Sequence, residues 1–279
     1  MSLPEYQSVY DNFDPASLEA EILEGSLSDG LNVCTEICDK WADDPQRVAL
    51  YYEKADGGSG KLTFAELKEK SARFANYLAS RGIGKGDRVA ALLPRSPELL
   101  IVIAGALRAG AVYQPLFTAF GPGAIEYRFE RASTKLVVTD PVNYPKLTEV
   151  KDCAPVVCVS AAEVSGDIPD FEKTLAEQSG QFEPVLIKGG DPFLQMFTSG
   201  TVGKSKGVAV PAKALLAFYV YMKYAIDLRD DDVFWNVADP GWAYGLYYAV
   251  VGPLLMGHAT HFNPGAFTPE STYDMIRKY

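Results

Sequence analysis

The sequence predicts an α/β fold made of two mostly parallel βα lobes, and three observations support this. Helical and strand patterns alternate along the chain. The strand patterns are short apolar runs without polar alternation, which is typical of parallel strands buried on both faces. The chain has 279 residues, about twice the length of an average domain, and its 48% hydrophobic content is enough for a sizeable core.

The first series of elements begins with a helix over about 63–81. Thr63 and Glu66 have the form of a capping box, apolar residues continue on one helical face, and Gly82 supplies a stop. Alternating elements follow. The sequence predicts strands at 89–93, 111–116 and 136–139, and helices from Pro97 to about Gly110 and at 124–132.

A second series follows a stretch at about 160–190 where the pattern weakens into Gly, Pro, Asp and Glu around one short helix at 171–178. Its predicted strands are 193–197, 207–210, 233–236 and 259–262, and its predicted helices are 212–226, 245–256 and 269–279. We therefore divide the chain into a first lobe at 1–160, a connection at 161–190 and the start of a second lobe at 191–279. Because the last element is a helix without a following strand, the second lobe is predicted to be truncated.

Charge and hydropathy argue against two classes of partner. The 26 Lys and Arg residues against 36 Asp and Glu give a net charge of −10 without a dense basic run, so we expect no nucleic acid partner. The longest apolar run, from Leu99 to Leu107, is about half of the roughly 20 residues that a spanning helix needs, so we expect no membrane span. The acidic first twenty residues do not have the pattern of a signal peptide, which predicts a cytoplasmic protein.

The four cysteines are too few in so long a chain for a disulfide framework. Cys34 and Cys38 have the spacing of one apolar helix face, so buried thiols explain them better than metal ligation. A zinc site built from all four cysteines would need tighter pairs. His258 and His261 would lie on opposite faces of a strand without a third ligand nearby, so we predict no metal-binding residue.

The segment with the clearest chemistry covers residues 198–207, directly after a predicted strand. Its glycines allow the backbone N–H groups to point into one concavity, while its hydroxyls and lysines add donors and positive charge. We interpret it as a polyphosphate cradle, although Thr198 stands where the P-loop motif needs its first glycine, and a surface loop of small residues is the alternative. The predicted phosphate-binding residues are Thr198, Ser199, Gly200, Thr201, Val202, Gly203, Lys204 and Lys206.

These ten residues resemble the phosphate-binding signature of the adenylate-forming superfamily, which is Thr-Ser-Gly-Thr-Thr-Gly-x-Pro-Lys-Gly. The chain departs from it at Val202 and Ser205. Four further blocks resemble the upstream blocks of the family in the same order: 63–67, 82–89, 93–98 and 107–115. The resemblance covers about residues 45–275 and implies the fold of the large N-terminal domain of these enzymes.

A later block, Ala-Asp-Pro-Gly-Trp at residues 238–242, resembles one that acetyl-CoA and medium-chain acyl-CoA synthetases carry. By that match, the acyl pocket and the adjoining CoA tunnel would be lined by Trp242, Ala243, Tyr244 and Gly245. Aromatic and small residues suit an apolar cavity, and an ordinary aromatic core patch is the alternative.

The resemblance implies an AMP-forming acyl-CoA synthetase. In that reaction a short- or medium-chain carboxylic acid reacts with ATP and Mg²⁺ to give acyl-AMP and pyrophosphate, and CoA then displaces AMP. The catalytic lysine and the magnesium-binding glutamate would lie beyond Tyr279, so the chain alone would be inactive and its copies would associate through the incomplete second lobe. Two alternatives stay open: an adenylating ligase with an acceptor other than CoA, and a nucleotide-binding module without turnover.

Overall fold

The computed structural model describes residues 6–54, 56–198, 205–265 and 267–279. It has the predicted α/β architecture, with a mostly parallel six-stranded sheet and a separate three-stranded sheet. In the described ranges, no helix combines the length and the hydropathy needed to cross a bilayer.

The strands are numbered in chain order. They are β1 (Val48–Glu53), β2 (Ser59–Thr63), β3 (Arg88–Leu92), β4 (Val112–Pro115), β5 (Thr134–Thr139), β6 (Val156–Cys158), β7 (Pro192–Thr198), β8 (Lys206–Pro211) and β9 (Thr260–Phe262).

The helices are numbered in the same way. They are α1 (Tyr6–Asp11), α2 (Pro15–Ile22), α3 (Val33–Ile37), α4 (Phe64–Ser80), α5 (Pro97–Arg108), α6 (Pro122–Ala132), α7 (Tyr144–Thr148), α8 (Phe171–Ala176), α9 (Ala214–Val220), α10 (Ala243–Gly245), α11 (Gly252–Leu255) and α12 (Pro269–Lys278). Two π-helical turns, Tyr221–Ala225 and Leu246–Val251, extend α9 and join α10 to α11.

The six-stranded sheet has the order β6-β5-β3-β4-β7-β8. The first five strands of that order are parallel, and β8 is antiparallel to β7. The carboxyl ends of β3, β4, β5, β6 and β7 therefore meet at one edge, which we call the carboxyl edge. In open α/β sheets, ligands bind outside this edge.

The three-stranded sheet joins distant parts of the chain. In it, β1 pairs with β2 in antiparallel fashion and with β9 in parallel fashion, although about 200 residues separate β1 from β9. The lobe boundaries at 1–160, 161–190 and 191–279 stay a prediction. Strands on the two sides of the 161–190 connection share a sheet, because β7 pairs with β4 through Leu194 and Tyr113.

Most predicted elements are confirmed, and α4 is the clearest case. It begins after Thr63, whose Oγ1 accepts a hydrogen bond from the Glu66 N–H at 3.2 Å, while the Thr63 N–H donates to the Glu66 carboxylate at 2.8 Å. This is the capping box that the sequence predicts. Where α4 meets α5, the two helices approach so closely that a Cβ at Gly105 would lie 2.8 Å from the Phe74 Cβ.

The predicted strand at 233–236 is wrong, because this segment is irregular in the structure. The Phe234 carbonyl oxygen lies 2.8 Å from Nδ1 of buried His261, and burial lowers the pKa of His261, so the neutral ring donates from Nδ1. The Asn236 side-chain oxygen accepts from the Ala238 N–H at 2.9 Å. Side chains thus bind backbone groups that a strand would use in its ladder.

Candidate functional site

The predicted phosphate-binding segment connects two strands at the carboxyl edge. Thr198 is the last residue of β7, Lys206 is the first residue of β8, and the two face each other in the antiparallel ladder. Six of the predicted phosphate-binding residues lie outside the described residues: Ser199, Gly200, Thr201, Val202, Gly203 and Lys204. The structure therefore locates the flanks of the segment at the edge where ligands bind in this class of fold.

The flank on β8 is exposed. Lys206 lies on the surface, and no carboxylate within the described part of the chain pairs with its ammonium group. Ser205, just before it, is half-buried, and its carbonyl oxygen accepts a hydrogen bond from the Tyr127 hydroxyl at 2.8 Å. Since no described carboxylate neutralises it, the positive charge of Lys206 can attract an anion.

Helix α6 contributes a buried arginine that our sequence analysis missed. Arg128 is only 7% exposed, and its guanidinium carbon lies 4.0 Å from the ring centre of Phe120 and 5.5 Å from that of Phe197. Its Nη1 donates to the Ala124 carbonyl oxygen at 2.8 Å. A signal was present in the sequence, because Arg128 interrupts an otherwise apolar helix face. The buried residues of that face are Ile125, Arg128, Phe129 and Ala132.

Trp242 lies at the same carboxyl edge. Its ring contacts two aromatic side chains that follow β4, with ring centres 5.2 Å from Phe117 and 5.7 Å from Phe120. Trp242 is 47% exposed, so part of its ring is available to a ligand. Arg95, which follows β3, donates to the Val237 carbonyl oxygen at 2.9 Å and so attaches the segment that carries Trp242 to this edge.

The other three pocket candidates have different surroundings. Tyr244 is 47% exposed and packs against Tyr221 and Tyr248, with ring centres 6.5 and 5.1 Å away. Ala243 packs against the core, and Gly245 is buried. Trp242 is thus connected through Phe120 and Arg128 to Phe197, the residue before Thr198, while Tyr244 belongs to a second aromatic group. The assignment of all four residues to an acyl pocket stays a prediction.

A tight turn places Trp242 at the edge. The Asp239 Oδ1 accepts from the Gly241 N–H at 2.7 Å, as in a turn closed by an aspartate side chain. A Cβ at Gly245 would lie 2.1 Å from the Asp239 carbonyl oxygen, and one at Gly241 would lie 2.8 Å from the Phe117 Cα. Both positions therefore require glycine for close approach of the backbone.

One group of side chains in the described ranges has the donor atoms of a metal site. Atoms of Cys34, Cys38 and Asp39 lie within 4.8 Å of one another, and both thiols are buried and free, as predicted. The Asp39 carboxylate already binds the guanidinium of Arg108, and burial raises the pKa of the Cys38 thiol. A protonated thiol and a neighbouring cation both oppose metal binding, so this cluster suits an ion pair better than a metal.

Fold and site together define a class of enzyme. The sequence profile of the family described as AMP-binding enzyme matches residues 38–279, and the chain belongs to that family.

Individual relatives are more specific. An acetyl-coenzyme A synthetase from Bacillus subtilis is 35% identical in an alignment of 286 residues. The alignment covers 99% of this chain and 49% of that protein. An acetyl-coenzyme A synthetase from Streptomyces coelicolor is 32% identical in an alignment of 276 residues, which covers 89% of this chain and 42% of that protein. The crystal structure of a Brucella canis acyl-CoA synthetase superposes with a TM-score of 0.95 at 50% identity, covering 99% of this chain and 51% of that one. The chain thus spans about half the length of these relatives.

Proposed function

We propose that the chain is the N-terminal portion of an AMP-forming acyl-CoA synthetase that activates a short- or medium-chain carboxylic acid with ATP and transfers the acyl group to CoA. The observation that carries this proposal is that Thr198 and Lys206, the described flanks of the phosphate-binding signature, pair at the carboxyl edge, the same edge at which Trp242 packs on Phe117 and Phe120. The similarity to acetyl-CoA and acyl-CoA synthetases supports it.

In the first half-reaction, a carboxylate oxygen of the acid attacks the α-phosphorus of ATP. The new oxygen–phosphorus bond forms as the bond from that phosphorus to the bridging oxygen breaks, and pyrophosphate leaves with the negative charge. Lys206, which has no carboxylate partner among the described residues, offers a cation to the β- and γ-phosphates, and the proposed cradle residues add backbone donors. Positioning and charge stabilisation are then the main tasks of the protein.

Mg²⁺ would enter with ATP. Of the described flanking residues, Thr198, Ser205 and Lys206 offer hydroxyl, carbonyl and ammonium groups, whereas magnesium prefers carboxylate and phosphate oxygens. These three residues do not fit the ion.

In the second half-reaction, the CoA sulfur attacks the carbonyl carbon of acyl-AMP. The carbon–sulfur bond forms as the bond from that carbon to the phosphate oxygen of AMP breaks, AMP leaves with the electron pair, and the thiol proton is released to water. The segment of Trp242, Ala243, Tyr244 and Gly245 is the proposed wall of the acyl and thiol site. Trp242 has the strongest support, because it lies at the carboxyl edge against Phe117 and Phe120 and is 47% exposed. Cytoplasmic location and association between copies stay predictions.

The test uses a polypeptide that includes this chain and has the length of its relatives. We expect it to exchange labelled pyrophosphate into ATP only when a carboxylic acid is present, and we expect CoA to raise turnover. Reactions without acid are the control. Exchange without any effect of CoA would favour a ligase with another acceptor, and no exchange with any acid from acetate to decanoate would contradict the proposal.

A further inference from the structure

Two consecutive residues of α6 contact both flanks of the phosphate-binding segment. Tyr127 donates its hydroxyl hydrogen to the Ser205 carbonyl oxygen, and its ring meets the Phe197 ring edge-on with centres 6.4 Å apart. Arg128 lies against the Phe197 ring at 5.5 Å. One short stretch of helix thus reaches the end of β7 and the start of β8.

The start of β8 has few other supports. This strand is at the end of the strand order, so it pairs with β7 alone, and its residues from Lys206 to Ala209 are exposed. Within the described ranges, the hydroxyl of Tyr127 forms the side-chain hydrogen bond that connects Ser205 to the rest of the protein. Loss of this bond would leave the first residues of β8 attached through the ladder to β7 only.

Arg128 supports the other flank. Its cation is buried between two aromatic faces, and no carboxylate among the described residues forms an ion pair with it. Among the described residues, the guanidinium is therefore held by attraction to the ring faces of Phe120 and Phe197 and by its bond to the Ala124 carbonyl oxygen. This arrangement links the end of β7 to the loop after β4.

We propose that Tyr127 and Arg128 are positioning residues for ATP. They fix the end of β7 and the start of β8, so that Thr198 and Lys206 are held in place at the carboxyl edge before ATP binds. This inference rests on the proposed adenylation. A fixed donor contributes more to the transition state than one that has to be ordered during the reaction.

The first variant is Tyr127→Phe in the full-length enzyme, which removes only the hydroxyl. We expect kcat for pyrophosphate exchange to fall about five- to tenfold, because the Ser205 bond is lost. Thioester formation from supplied acyl-AMP and CoA should stay within twofold of wild type, because that half-reaction does not use the pyrophosphate-binding donors. Tyr77→Phe is the matched control. Tyr77 lies in α4, its ring stacks against Arg81, and it is away from the carboxyl edge. This variant should leave both rates unchanged.

The second pair of variants is Arg128→Met and Arg128→Lys. We expect the rate of pyrophosphate exchange to fall about tenfold or more in the methionine variant. The lysine variant should recover part of this rate, because lysine keeps a cation over the rings. Arg81→Met is the control, because it also removes an arginine that stacks on an aromatic ring, in this case the ring of Tyr77.

The outcomes separate the two proposals. If wild-type enzyme shows no exchange, the proposed function and this inference both fail. If wild-type enzyme is active and Tyr127→Phe keeps the wild-type exchange rate, only the positioning role is overturned. Equal losses in both half-reactions would also overturn it, because a purely structural defect affects both. If Arg128→Met and Arg128→Lys have equal exchange rates, the positive charge of Arg128 has no part in positioning.

Discussion

Replacing Lys206 by alanine is expected to lower acid-dependent pyrophosphate exchange by about 10²-fold, the usual effect of losing one preorganised group that faces developing charge. Lys206 begins β8 opposite Thr198, and its ammonium group has no carboxylate partner in the part of the chain that the structure describes. The variant should unfold at the same denaturant concentration as wild type, because an exposed, unpaired lysine contributes little to stability. Exchange kinetics with purified full-length enzyme measure the effect.

Lys213→Ala is the matched control. Lys213 is an exposed lysine just beyond the opposite end of β8, so its removal changes the net charge equally without affecting the carboxyl edge. Its exchange rate should stay within twofold of wild type. A wild-type rate for Lys206→Ala would mean that the phosphate-binding segment is misassigned.

Replacing Asp39 by alanine is expected to reduce the free energy of unfolding by about 3–5 kcal/mol, because it leaves a buried cation without a counter-charge. Arg108 is 2% exposed, and its Nη1 donates to the Asp39 carboxylate at 2.8 Å while Nη2 donates to the other oxygen. In the variant, Ser71 would be the side-chain acceptor left to the guanidinium, at 3.0 Å from its Nε. Urea titration of the purified protein measures the change.

Two comparisons make this result specific. Glu69→Ala removes an exposed pair with Arg73, in which the Glu69 side chain is 56% exposed, and should change the free energy of unfolding by less than about 1 kcal/mol. The double variant Asp39→Leu with Arg108→Met replaces both charges by apolar groups and should recover most of the loss. A double variant as unstable as Asp39→Ala would show that shape, rather than charge, determines the effect.

Local signals predicted local structure well. The capping box of Thr63 and Glu66 determines where α4 begins, and the apolar runs of β3 and β5 mark strands because these are buried on both faces. The strand predicted at 233–236 was wrong. Val233 there is 64% exposed, and the carbonyl oxygen of Phe234 bonds to His261 instead of to a neighbouring strand.

The partners of these elements depend on contacts that no local pattern contains. The pairing of β7 with β4 joins strands on opposite sides of the 161–190 connection. The site shows the same limit. Its phosphate-binding segment was predicted from its composition, whereas Tyr127 and Arg128 were missed, because their contacts with Ser205 and Phe197 are made only in the folded chain.

The pairing of β1 with β9 sets an order of events during synthesis. The last strand of the six-stranded sheet ends at Pro211, whereas β9 ends at Phe262, and β1 is made about 200 residues before β9. At roughly 5–20 residues per second, the β1–β2 hairpin waits about 10–40 s on the ribosome for its parallel partner. Two strands alone are marginally stable, so the hairpin is expected to become protected only after residue 262 has emerged. Proteolysis of ribosome-bound chains stalled before and after that point measures this delay.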